Sequence, residues 1–192
     1  MDRVITVLFA RKNSIYKRLP GVDVWDEARD ALKWEGGTSV IAHPPCRLWC
    51  ACKSLSRAPA NERDLSVWAV ETVQYWGGIL EHPARSSLWE YLGLPLPGRH
   101  DAYGFSIAVD QWWWDHKASK RTWLYVCGAK FPEIPLKIGE PTHLISNSRT
   151  ASRNGKLLLS RHAREATPIG FAKWLIELAR TVDIAELRKA AE

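Results

Sequence analysis

The apolar positions of this chain fall into short β-branched runs separated by polar turns, and twice into longer stretches with helical spacing. Val4 to Phe9 (VITVLF) is a continuous apolar run, the pattern of a buried strand. A polar turn, Ala10 to Ser14, leads to a short helical stretch over Ile15 to Leu19, which Pro20-Gly21 breaks. Val22 to Trp25 predicts a second strand, ending in the acidic pair Asp26 and Glu27. Asp30 to Trp34 predicts a helical turn stopped by Gly36-Gly37. Ser39 to Ala42 is a third strand that runs straight into His43-Pro44-Pro45-Cys46. Leu65, Trp68, Ala69, Val73 and Trp76 recur at three- and four-residue intervals, which predicts a helix over 61–76. After Gly77-Gly78, Ile79-Leu80 opens a strand finishing at Glu81-His82-Pro83, and Thr122 to Cys127 predicts another. Thr167-Pro168 opens a last helix reaching about Arg180, with Thr as N-cap and Pro in the first turn. Segments of about 92–118, rich in Gly and Pro, and 130–164, irregular and basic, predict loop excursions.

Strands alternating with helices predict a single α/β domain with a Rossmann-like, mainly parallel sheet and helices on both faces. A chain of 192 residues, 46% of them hydrophobic, holds one well-packed core. In such sheets ligands bind beyond the carboxyl ends of the strands, where both HPPC and EHP fall. The 27 basic against 21 acidic residues give a net charge of +6, which favours a polyanionic partner, DNA or a nucleotide. Eleven Trp are far more than usual; most are expected in the core and a minority on stacking surfaces. No apolar run of 18 residues suggests a membrane span, and Met1-Asp2-Arg3 does not begin a signal peptide. Three of the four Cys lie within seven residues, a spacing that fits neither a disulfide framework nor a secreted mini-protein; a reducing, cytoplasmic setting is expected.

Two prolines stiffen the exit from the third strand and present Cys46 in a defined direction. Arg47 and Lys53 are candidates to lower its thiol pKa. The plainer alternative is a strand-ending turn with a structural Cys. Glu81 stands at a second strand end, placed to pair with the polar edge of a base; its alternative is a surface carboxylate before a turn. His43, Cys46, Cys50 and Cys52 crowd four ligand types into ten residues, which is awkward for zinc, and no metal site is expected. Trp112, Trp113 and Trp114 cannot share one face of any element, so one of them, Trp113 in particular, is a candidate stacking surface, although a structural seam is the stronger reading. Basic stretches at Lys117 to Arg121 and Arg149 to Arg164 are candidate phosphate contacts.

A strand leading to Pro-Pro-Cys, a helix, and a later strand ending in Glu-His resembles the catalytic core of cytosine carbon-5 DNA methyltransferases, in particular the short methyltransferase-like proteins of phages and prophages. Leu8-Phe9-Ala10 resembles the family's first motif, and Asp26 with Glu27 resembles the acidic strand end that binds the cofactor ribose. Lys120-Arg121-Thr122 resembles the basic strand that contacts the target, and Thr167-Pro168 to Leu175 resembles the last motif, which closes on the cofactor. The resemblance covers about 4 to 180. It implies Cys46 as the nucleophile to carbon 6 of a cytosine-like ring, with Glu81 holding or protonating N3, and with His82 and Arg121 in the catalytic set. It implies S-adenosylmethionine held by Phe9, Ala10, Asp26, Glu27, Pro44, Thr167 and Pro168, and target contacts from His43, Arg47, Lys120 and Trp113. Three departures accompany it. Arg11-Lys12-Asn13-Ser14 replaces the glycine-rich cofactor loop, which makes a phosphate-bearing ligand conceivable. Cys50 stands where the family has Ser, and His82 where it has Asn. Little chain remains for target recognition. The expected function is therefore methyl transfer to a pyrimidine of DNA or a nucleotide. The alternative is a catalytically altered base-binding accessory protein on the same fold, for example in phage–host defence.

Overall fold

The computed structural model describes residues 3–50, 57–146 and 156–190. Six strands form one open sheet in the order β2-β1-β3-β4-β6-β5. β1 (Ile5–Ala10), β2 (Val22–Asp26), β3 (Val40–Ala42) and β4 (Gly78–Pro83) run parallel. β6 (Arg121–Cys127) enters antiparallel between β4 and the edge strand β5 (Gly104–Asp110). The expected mainly parallel α/β sheet is therefore present, with one reversed strand.

Period-two alternation sorts the side chains of every strand between two cores. Ile5, Val7, Ile41, Ile79, Leu124 and Val126 face α4 (Ile169–Arg180), which buries Phe171, Ala172, Leu175, Ile176, Leu178 and Ala179 against them. Leu8, Val40, Ala42, Leu80, Tyr125 and Cys127 face the other way, onto α1 (Glu62–Trp76), α2 (Ser87–Leu92) and Leu187 of α5 (Ile184–Ala190). Helices thus cover both faces. At Gly78 (φ 135°) an added Cβ would sit 1.9 Å from the Val40 carbonyl oxygen, so only glycine lets β3 and β4 pair there.

Two sequence expectations need correction. The stretch of about 92–118 is not a loop excursion: it holds β5 and a 3₁₀ turn over Gln111–Trp114. Phe105, Ile107 and Val109 alternate toward the α4 side, and this pairing is what the Gly and Pro punctuation around them concealed. The α4 N-cap is Pro168, not Thr167, and it makes no side-chain capping bond. The basic 130–164 region carries, among the described residues, a two-stranded ribbon of β7 (His143–Leu144) and β8 (Leu157–Leu158), then α3 (Arg161–Glu165). Part of the Arg149 to Arg164 stretch lies outside the described residues, as do Cys52 and Lys53. Among the described residues no helix is long and apolar enough to cross a membrane.

Candidate functional site at the carboxyl edge of the sheet

β1, β3, β4 and β5 all end at one edge, and β6 begins there, so the residues just beyond those ends meet. The register aligns Leu8 with Ala42 and Ala42 with Leu80. His43 therefore follows β3 level with Glu81 on β4. Both point to the α4 face, because each is one alternation beyond a residue that points to the other.

His43 Nδ1 lies 2.9 Å from Glu81 Oε2, and the two side chains are only 14% and 13% exposed. Gln111 Nε2 donates to the other carboxylate oxygen, Oε1, at 3.1 Å and to Thr122 Oγ1 at 3.0 Å. Tyr16, fully buried from the 3₁₀ turn Ile15–Arg18, places its hydroxyl 3.2 Å from His43 Nε2. A carboxylate only accepts, so His43 donates from Nδ1, and in the neutral ring Nε2 accepts the Tyr16 O–H. Burial by itself would raise the Glu81 pKa. The His43 hydrogen bond and the nearby positive charge of Lys120 outweigh it and hold Glu81 at about 2. Burial and the Glu81 charge push the Tyr16 hydroxyl well up, so it stays protonated.

Lys120 is drawn to the same place. Its Nζ donates to the Ala166 carbonyl, just before α4, at 3.2 Å. Burial lowers its pKa, while the Glu81 and Cys46 charges pull it back up. Of the basic Lys120-Arg121 pair only Lys120 joins the site. Arg121, the first residue of β6, is exposed, and Thr122 takes the inward position.

Cys46 lies in the turn after β3, directly beneath Cys50. Cys50 Sγ donates to the Cys46 carbonyl at 2.7 Å, and its backbone N–H bonds the same oxygen at 3.0 Å, closing one helical turn. The Cys50 thiol, burial and the Glu81 charge together push the Cys46 pKa up, whereas the Cys46 hydrogen bond brings Cys50 down to about 7. Arg47 does not activate the thiol as expected, because its guanidinium is ion-paired with Glu62 of α1. Pro44 is buried in the same turn.

His82 is next to Glu81 in sequence but on the opposite face of the sheet. It is 1% exposed, with Nδ1 2.7 Å from Ser86 Oγ and its ring against Trp89. Desolvation lowers it to about 4, so the folded protein holds it neutral. It packs into the core on the face opposite the Glu81 network. Trp113 likewise packs on Trp114, which is buried against Phe171 and Trp174, and forms the seam between the 3₁₀ turn and α4.

Several of the residues assigned to the cofactor are engaged elsewhere. Asp26 Oδ2 binds Lys17 Nζ at 2.5 Å, while Oδ1 accepts from Ala28 N and Arg29 N at 3.1 and 3.2 Å. Oδ1 thus fixes the turn after β2, and Oδ2 ties β2 to the 3₁₀ turn before it. Glu27 is exposed beside it. Phe9 takes a positive φ of 58° and packs edge-on against Trp68, and Ala10 is buried in the bulged pairing with Asp26. Arg11, where the resemblance would have glycine, pairs with Glu165 at 3.2 Å. Thr167 and Pro168 are half-buried near the Lys120 contact.

Tyr16 and Gln111 are the members of the network that sequence reasoning missed. Gln111 left a faint signal, a lone amide just before three Trp; Tyr16 left none, since its partner lies 27 residues on. With both His43 nitrogens engaged, His43 is not open to a metal. Comparison with protein-family models, with curated proteins and with solved structures finds no match.

Proposed function

We propose that the carboxyl edge of the sheet around Glu81 binds the polar edge of a pyrimidine base, presented by DNA or a nucleotide, on a methyltransferase-like core that does not use S-adenosylmethionine. The observation that carries this reading is the Glu81 carboxylate, kept ionised and fixed in orientation between His43 and Gln111. A carboxylate has about four acceptor sites and two are filled, which leaves lone pairs for an exocyclic amine such as cytosine N4. An ionised Glu81 accepts; it does not protonate N3, so base recognition is a better role for it than acid catalysis. The cofactor does not fit. The ribose-binding carboxylate is spent on Lys17 and on its own turn, and the Arg11–Glu165 pair stands where close backbone approach is needed.

Titration with deoxycytidine and thymidine monophosphates, followed by calorimetry, tests the proposal. The cytosine nucleotide is expected to bind ~5–100-fold more tightly, the range one good base-edge contact supplies, and Glu81→Gln to erase the preference. Equal affinity for both nucleotides in the native protein would sink it.

The electrostatic attraction between Lys120 and Cys46 favours a second reading, in which the Lys120 ammonium steadies the Cys46 thiolate once the thiol proton has passed to solvent. The Cys46 sulfur then adds to carbon 6, the ring electron pair takes a solvent proton at carbon 5, and reversal releases either hydrogen. In deuterated water the nucleotide should then gain deuterium at carbon 5, and Cys46→Ala should abolish the gain; no exchange with the native protein removes this reading and leaves the first intact.

A further inference from the structure

On the α1 flank, away from the Glu81 network, Trp34, Trp68, Tyr75 and Trp76 wall an open cleft of about 410 Å³, with Glu35 and Glu71 on its rim. The rings pack edge to face: Trp34 on Trp76 with centroids 5.9 Å apart, and Tyr75 on Trp76 at 5.1 Å. Trp76 is held rigidly, because its indole lies where a Cβ on Gly36 (φ 96°) would stand, 2.1 Å from Cζ2. Both carboxylates are exposed, and among the described residues neither takes part in an ion pair. The chain carries a net charge of +6, so this acidic, aromatic cleft runs against its overall charge.

We propose that this cleft is a binding site for a small alkylated ammonium, such as a trimethylammonium headgroup. Ring faces carry negative quadrupole charge and attract cations most strongly when the cation is poorly hydrated, which N-methylation ensures. An open aromatic surface suits a rounded cation that stays partly solvated, and the two rim carboxylates add long-range attraction without a buried ion. The protein already makes one such contact: the Arg188 guanidinium sits 5.1 Å and 5.4 Å from the centroids of Tyr75 and Trp76. A nucleic acid is the poorer fit, since stacking its bases here would bring phosphates against Glu35 and Glu71.

The test uses Trp fluorescence with choline, its uncharged isostere 3,3-dimethylbutan-1-ol, and methylguanidinium. Choline is expected to give a saturable change, with the alcohol binding at least ~5-fold more weakly, the lower part of the range one cation–π contact contributes. The surface double variant Glu35→Gln/Glu71→Gln should weaken choline several-fold and leave the alcohol unchanged. Trp68→Ala should weaken both. Equal affinity for choline and the alcohol would reduce the cleft to an apolar groove, and tighter binding of methylguanidinium would overturn the choice of alkylammonium. The absence of saturation with choline into the high-millimolar range overturns the site altogether. None of these readouts involves a base, so they stand or fall separately from the Glu81 site.

Discussion

Glu81→Gln keeps the shape of the side chain and its place between His43 and Gln111 while removing the charge that those donors and Lys120 surround. Folding moves the Glu81 pKa from 4.5 to about 2, and each unit corresponds to about 1.4 kcal/mol of preference for the ionised form. The ionised carboxylate therefore contributes about 3 kcal/mol to stability. Because the folded value is the lower one, that contribution is complete above 4.5 and is lost as the pH falls from there to about 2. The neutral Gln stands in for the protonated acid. The native protein is thus expected to exceed the variant by about 3 kcal/mol at neutral pH, or ~6–12 °C in Tm for a chain of this length. The gap should narrow steadily below pH 4.5 and nearly vanish toward pH 2. Urea denaturation followed by Trp emission at a series of pH values measures it. A gap that is constant with pH, or a variant as stable as the native protein at neutrality, would refute the charge clamp.

Other outcomes follow from the same coordinates. His82, held at about 4, stays neutral in the folded protein while the unfolded chain takes up a proton below 6.5, so it withdraws stability as the pH falls through that interval; its ring proton resonances should not titrate above about pH 5, and an NMR midpoint at 6.5 would contradict its burial. Iodoacetamide at neutral pH should label Cys50 before Cys46 and Cys127, as read by tandem mass spectrometry, because Cys50 is lowered to about 7 while Cys46 and the buried Cys127 are raised; labelling of Cys46 first would reverse the assignment. Gly78→Ala should abolish cooperative unfolding, since its Cβ meets the Val40 carbonyl. Gly93→Ala, with a φ of 64° and open space around it, should cost only ~1 kcal/mol by the same denaturation assay; equal effects would mean that backbone conformation, not the clash, matters at Gly78.

The parallel half of the fold was legible because its signals are local. VITVLF, SVIA and ILEHP are apolar runs with clear stops, and Leu65 to Trp76 has one helical period. β5 was not read as a strand because its alternation, Phe105, Ile107 and Val109, is short and set among glycines, and what makes it a strand is the partner β6. The site was half legible for a similar reason. Placing His43 and Glu81 at strand ends needs only the strands. Grouping His82 with Glu81 came from reading Glu81-His82-Pro83 as one motif, whereas neighbours on a strand point to opposite sides. Tyr16 and Gln111 reach the carboxylate through packing, and their spacing along the chain carries no trace of that.

The reversed strand β6 divides the site between two parts of the sheet, the parallel β3–β4 pair and the antiparallel β5–β6 pair. β5 and β6 are neighbours in sequence and pair over their whole lengths, a local hairpin that closes quickly and brings Gln111, Lys120 and Thr122 with it. His43 and Glu81 come with β3 and β4, joined through the α1 crossover. The halves meet only when β4 docks on β6 and Glu81 comes opposite Leu124. The clamp on Glu81 is therefore complete only where β4 and β6 are paired, since Gln111 and Lys120 reach the carboxylate from the β5–β6 side. In the native state, the amides of β4 and β6 should report on the site through their hydrogen exchange, slowing when a ligand bridges the two halves.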